Sequence, residues 1–154
     1  MEIVFYRASK GNTADKVIAW WTSPFSSKFS GDWRDSYSHV EIILPTGFMV
    51  SASQYKGCVR AKKFKTSTSW HSLEVPMGRS MADATEKFIL SKVGIKYDYI
   101  GLLGFVFGTR DVDSKYFCSE LIAEALMEGG VLPKSNPAKF SPNTLYLELK
   151  KGLV

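Results

Sequence analysis

The apolar and polar residues of this chain alternate most regularly over residues 37–44. A period of two predicts a β-strand whose two faces differ in character. One face is aliphatic and the other carries the polar groups: Val40, Ile42 and Leu44 against His39, Glu41 and Ile43. Runs of β-branched and aromatic residues between turn residues predict four more strands. These strands are 3–8, 48–53, 58–64 and 70–75.

Apolar residues spaced three and four apart predict helices elsewhere in the chain. The predicted helices are about 13–23, 81–92, 96–108, 118–129 and a last one that starts at Ser141-Pro142. Their inward residues are expected to be apolar: Ala84, Phe88 and Ile89 in the second helix, and Leu145, Leu149 and Leu153 in the last. The predicted order is a strand and a helix, then a strand meander, then helices. This order is typical of an α+β domain, which we expect to span residues 1–154.

Composition and charge narrow the range of possible functions and binding partners only slightly. The 154 residues carry a formal charge of +5, and the densest basic patch is Arg60, Lys62, Lys63 and Lys65. Such a patch suits phosphates, an anionic lipid surface or an acidic polymer, but it is more often a solvated strand edge. No nucleic-acid-binding motif accompanies it, so nucleic acid is not an expected partner.

Two cysteines, Cys58 and Cys118, form neither a disulfide framework nor a zinc-ligand spacing, so we expect no metal and no cofactor. A reducing, cytoplasmic location fits this usage. The first residues lack the basic leader and long apolar core of a signal peptide. The longest apolar run, 100–107, is too short to span a bilayer.

Cys118 is the first candidate for chemistry. The spacing of Leu121, Ile122 and Ala125 places it in the first turn of the predicted helix, on the side of the buried stripe. Unpaired N–H groups and the helix dipole stabilise an anion there, so a thiol at this position ionises more readily than a free one. A thiolate is the nucleophile of cysteine hydrolases, although a buried structural cysteine is the commoner interpretation of such a residue.

A nucleophilic thiol needs a base, and the base needs an orienting partner. His39 lies on the best-defined strand, and Glu41 follows two residues later on the same face. The second histidine, His71, lies in a less regular segment without an acid on its face. A histidine and an acid on one strand are more often a surface pair, but together with Cys118 they form a candidate constellation.

Four segments, 37–42, 96–99, 116–122 and 140–142, give the chain a family resemblance. Their sequences are YSHVEI, KYDY, YFCSELI and FSP. In this order they resemble the permuted papain-like amidases, the YiiX-like branch of the NlpC cysteine amidase superfamily, which is related to lecithin:retinol acyltransferase. The histidine strand precedes the cysteine helix, as in the permuted group, and the resemblance covers nearly the whole chain.

The resemblance implies a circularly permuted papain-like fold and acyl transfer through Cys118, with His39 as general base. Backbone N–H groups at the start of the cysteine helix would hold the oxyanion, with the hydroxyls of Tyr97 and Tyr116 as further candidates. The residue that orients the histidine usually comes from the neighbouring strand in this family, which makes Ser51 a candidate here. Glu41 is the electrostatically stronger alternative, and the choice between the two stays open.

The leading hypothesis is a thiol hydrolase that cleaves an amide, for example in a peptidoglycan peptide, acting in the cytoplasm or carried by a phage particle. A lipid or thioester acyl hydrolase or acyltransferase of the same fold is the first alternative. The alternative of a different class is an inactive binding module whose basic strand grips an anionic partner.

Overall fold

The computed structural model describes residues 1–11, 13, 36–53, 55–65, 67–97 and 115–152. Five longer strands and three α-helices lie in these ranges, which makes the protein α+β. The five strands are β1 (Glu2–Arg7), β2 (Tyr37–Ile43), β3 (Phe48–Ser53), β4 (Cys58–Lys63) and β5 (Trp70–Glu74). The three helices are α1 (Arg79–Ser91), α2 (Cys118–Glu128) and α3 (Pro142–Lys151).

The five longer strands form an antiparallel sheet in the order β5-β1-β2-β3-β4. Two strands of two residues each, β6 (Lys96–Tyr97) and β7 (Lys115–Tyr116), extend the sheet beyond β4 and run parallel to each other. Because β7 ends next to Cys118, the sheet edge leads the chain directly into α2. No helix in the described ranges is both long and apolar enough to cross a bilayer.

The aliphatic face of the sheet builds the core against the helices. Helix α2 contacts β2 and β3, and α3 contacts β2. The fully buried members of this core come from both layers: Ile3, Phe5, Val40, Ile42 and Val50 from the strands, with Leu121, Ile122, Leu126 and Leu145 from the helices. Burial of each such side chain contributes about 1.5–3 kcal/mol. The opposite face of β2 carries His39 and Glu41.

The predicted α+β class and its five longer strands are confirmed to within two residues at each end. The helix predicted for 81–92 spans Arg79–Ser91, but Ala84 is exposed, so its inward placement was wrong. Thr85 is buried instead, because its hydroxyl donates to the Met81 carbonyl (2.8 Å) one turn earlier and needs no water.

The helix predicted for 96–108 was wrong at its start, because Lys96 pairs with β4 and forms part of β6. Its remainder, 98–108, lies outside the described residues, as do residues 14–23 of the helix predicted for about 13–23, the apolar run 100–107 and Leu153. The last helix starts at Pro142, as predicted, and the Ser141 side chain caps it by accepting from the Thr144 N–H.

Candidate active site

His39 and Glu41 form a direct pair on one face of β2. Nε2 of the imidazole donates to Oε1 of the Glu41 carboxylate at 3.0 Å. The two residues are two positions apart on an extended strand, which puts both side chains on the same face. The His39 side chain is 21% exposed and that of Glu41 only 1%. The histidine is therefore accessible, while its acidic partner is buried.

Two basic residues of β4 share the buried carboxylate with His39. Nη2 of Arg60 donates to the same Oε1 atom at 3.1 Å, and Nζ of Lys62 lies 3.7 Å from it. Glu41 Oε2 and Arg60 Nη1 are buried and form no hydrogen bond within the described part of the chain. Burial opposes the charge of Glu41, but His39, Arg60 and Lys62 outweigh it and hold the pKa of the carboxyl below its ordinary value.

Cys118 is the first residue of α2 and is 1% exposed. Phe117 at the N-cap has no polar side chain and caps none of the first-turn N–H groups. Its own N–H donates to the Glu120 carboxylate at 3.3 Å, which adds an acid to the first turn. The sulfur thus lies where the helix dipole and backbone N–H groups favour a negative charge.

The Cys118 side chain interacts with the His39 imidazole through charge and a hydrogen bond. Since Glu41 occupies Nε2, the nitrogen left for the sulfur is Nδ1. Burial opposes a charge on His39, but Cys118 and Glu41 outweigh that effect and raise the pKa of His39 to about 10. Cys118 and Glu41 thus both favour the imidazolium form of His39.

An opening between β2 and β3 lies on the His39 side of their backbone pairing. These strands pair at Ile42–Val50 and Ile43–Met49 only, so they no longer pair toward His39. Ser51 lies at this opening, and its hydroxyl donates to the Val40 carbonyl at 2.7 Å. The structure therefore gives Ser51 a backbone partner across the two strands, and it gives His39 the Glu41 carboxylate.

Three further hydrogen bonds connect the C-terminal segment to both halves of the site. The buried Ser119 hydroxyl donates to the Phe140 carbonyl at 2.6 Å, directly beside Cys118. Asn143 of α3 is fully buried and accepts from the Tyr37 N–H at 2.8 Å, while its amide donates to the Tyr37 carbonyl at 3.3 Å. Tyr37 precedes His39 by two residues, so Asn143 fixes the strand that carries the base.

The structure does not test the two predicted tyrosines, and it gives His71 a partner other than His39 and Glu41. Tyr97 and Tyr116 pair with each other in the backbone of β6 and β7, and their side chains fall outside the described part of the chain. His71 contacts the Tyr37 hydroxyl through Nδ1 on the helix side of the sheet. Burial, Arg7 and Lys150 lower the pKa of His71, so it is a poor candidate for a cationic partner.

From the sequence, Arg60 and Lys62 were predicted only as members of a basic patch, and no role was predicted for Asn143. The available signal was the alternation of β4, which puts the two basic residues on one face, and the buried polar position directly after Ser141-Pro142. Among the described residues, no group of three or more histidine, cysteine or acidic side chains could hold a metal ion.

The site brings a thiol, an imidazole and a buried carboxylate together. No family model matches the chain, and no curated protein or solved structure matches it significantly.

Proposed function

We propose that this protein is a cysteine hydrolase of the permuted papain-like type, which cleaves an amide bond through an acyl-enzyme on Cys118. The observation that carries the proposal is the contact of Cys118 with an imidazole whose other nitrogen is held by a buried carboxylate. A histidine in this position carries a proton between the thiol and the leaving group, as base and then as acid.

The Cys118 thiolate attacks the carbonyl carbon of the substrate and forms a tetrahedral adduct. The His39 imidazolium then gives its Nδ1 proton to the leaving amine, the C–N bond breaks, and a thioester remains on the sulfur. Water attacks that thioester while His39 takes a proton from the water. The carboxylic acid then leaves and the thiolate is restored. Every proton that moves passes through His39, and no redox partner is needed.

The negative charge on the carbonyl oxygen of the adduct needs hydrogen-bond donors that are already in place. The N–H groups of Cys118 and Ser119 are suited to this task, because they lie in the first turn of α2 and the N-cap side chain caps neither of them. The bond from Ser119 to Phe140 holds this turn in place, which keeps the donors aimed while the substrate changes charge.

The fold supports the proposal through the order of its parts. Helix α2, which begins at Cys118, packs on β2, the strand that carries His39. Strand β2 precedes α2 in the chain, as in the permuted group. Peptides are the first substrates to test, and a lipid or thioester acyl group is the alternative for the same mechanism.

The test is acylation of Cys118 by a small activated ester, followed by peptide mass spectrometry. A small reagent is required because the Cys118 side chain is 1% exposed, and the half-buried Cys58 serves as an internal reference thiol. We expect Cys118 to be acylated faster than Cys58, and His39→Ala to slow Cys118 by about a hundredfold or more. His71→Ala is the matched control and should leave the rate unchanged. Labelling of Cys118 that does not depend on His39 would instead indicate an inactive binding module.

A further inference from the structure

A cavity of about 200 Å³ opens beside the imidazole on the polar face of the sheet. Its volume suits a group about as large as one amino-acid side chain. The walls come from all five longer strands and combine aromatic rings with charged groups, among them Tyr6, His39, Glu41, Arg60, Lys62 and Trp70. The register explains this grouping, because Tyr6 lies opposite both His39 and Trp70 in adjacent strands.

The charges around this cavity do not cancel. Glu41 supplies one negative charge, while Arg60 and Lys62 supply two positive charges within 3.7 Å of its Oε1 atom. His39 adds a third cation, because its pKa is raised to about 10. Lys62 is 45% exposed, so its ammonium group is free to turn toward a ligand, and Arg60 has a second guanidinium nitrogen without a partner in the described ranges.

The aromatic wall is rigid and apolar. The rings of Tyr6 and Trp70 meet edge to face with centroids 5.0 Å apart, and the Trp70 ring lies 6.2 Å from that of His39. The Tyr6 hydroxyl donates to the Lys10 carbonyl at 2.8 Å, so this wall offers ring surface to a ligand. An apolar wall opposite two cations fits a group that is flat or aliphatic at one end and anionic at the other.

We propose that this cavity binds an anionic group of the substrate, a carboxylate or a phosphate held by Arg60 and Lys62, next to the bond that Cys118 attacks. This inference rests on the proposed function for its reacting bond, but anion binding itself is independent of catalysis. The substrate is therefore an acyl compound with an oxyanion close to its scissile bond. Neutral amides and esters of the same size are poor substrates, because they leave the excess positive charge of Arg60 and Lys62 over Glu41 unbalanced.

The test compares three small ligands on the folded full chain by calorimetric titration: phenylacetate, phenyl phosphate and the neutral phenylacetamide. We expect at least one anion to bind about tenfold or more tightly than the amide, the factor that a hydrogen bond to a charged group supplies. The anion that binds more tightly identifies the group carried by the substrate. The same ligand should protect Cys118 from alkylation, and added salt should weaken its binding.

Lys62→Gln should lower the preference for the anion by about tenfold. Lys63→Gln is the matched control, since it removes the same charge from an exposed neighbour on β4 that does not line the cavity. Arg60→Gln tests the second cation, and Lys62→Gln keeps the test valid if loss of Arg60 beside the buried Glu41 unfolds the protein.

Equal affinity for anion and amide, no detectable anion binding, or an equal loss in Lys63→Gln would overturn the anion site. These results are separate from the test of the hydrolase. If acylation of Cys118 did not depend on His39, the proposed reaction would be refuted. Selective binding of the anion would still support the anion site.

Discussion

Glu41→Gln isolates the part that the buried carboxylate plays in charging the histidine. The amide keeps the shape of the side chain but loses its charge. At 3.0 Å and an effective dielectric constant of about 20, the attraction between Glu41 and an imidazolium is about 5 kcal/mol. Desolvation of the pair offsets much of it, and a hydrogen bond to a charged group has a net value of about 1.5–3 kcal/mol. Each factor of ten in an equilibrium corresponds to about 1.4 kcal/mol. Loss of the Glu41 charge therefore lowers the ratio of imidazolium to neutral imidazole by roughly 10- to 150-fold.

The assay is the alkylation rate of Cys118 by iodoacetamide from about pH 5 to about pH 10, a range that covers the titration of thiols and imidazoles. In the native protein His39 is an imidazolium at neutral pH, because its pKa is raised to about 10. In Glu41→Gln the neutral imidazole gains population. We therefore expect the alkaline end of the range in which His39 activates Cys118 to move to lower pH by about one to two pH units, which corresponds to that roughly 10- to 150-fold factor.

The matched control is Glu74→Gln, which removes one carboxylate from an exposed position on β5. Circular dichroism shows whether each variant is folded, and Cys58 reports any general change in reactivity. A folded Glu41→Gln protein with the native rate at every pH would refute the reasoning, because the carboxylate would then have no effect on the charge of His39.

Three further variants or conditions test the fold around the site. Stability should fall as the pH rises through about 10, because the raised pKa of His39 stabilises the fold below 6.5 and ceases to do so once the imidazolium loses its proton. It should also fall as the pH drops below 4.5, since the pKa of Glu41 is lowered in the folded state; the melting temperature against pH measures both limbs. Gly129→Ala should destabilise the protein by about 1–3 kcal/mol in urea unfolding, because a Cβ there would lie 1.9 Å from the Thr85 hydroxyl. Asn143→Ala should cost about 1–3 kcal/mol in the same assay and slow alkylation of Cys118, since it frees a buried N–H beside the histidine strand.

Each of these expectations has its own control. His39→Gln should flatten the alkaline limb of the pH profile, and a limb that persists would assign it to another group. Gly152→Ala, where the nearest atom is 3.6 Å from the new Cβ, should change stability little, and an effect equal to that of Gly129→Ala would contradict the clash. Asn136→Ala removes an exposed cap whose oxygen accepts from Ala138, and it should leave the reactivity of Cys118 unchanged.

Local pattern was enough to predict several parts of this protein. The alternation over residues 37–44 predicted β2 and the shared face of His39 and Glu41, because side chains on an extended strand alternate wherever the strand lies. The apolar spacing after Cys118 predicted the start of α2, and Ser141-Pro142 predicted the start of α3. These features depend on residues within a few positions of one another, so the sequence carries them directly.

Only the tertiary structure decided which side chains meet. Arg60 reaches Glu41 across an intervening strand, and Asn143 holds Tyr37 over a separation of 106 residues. From its strand position, Ser51 was a candidate beside Glu41 for the residue that orients His39. In the structure its hydroxyl donates to the Val40 carbonyl instead. Strand order, register and the place where two strands part depend on packing of the whole core. Periodicity along the chain therefore assigns a residue to a face, but it does not choose the residue's partner on that face.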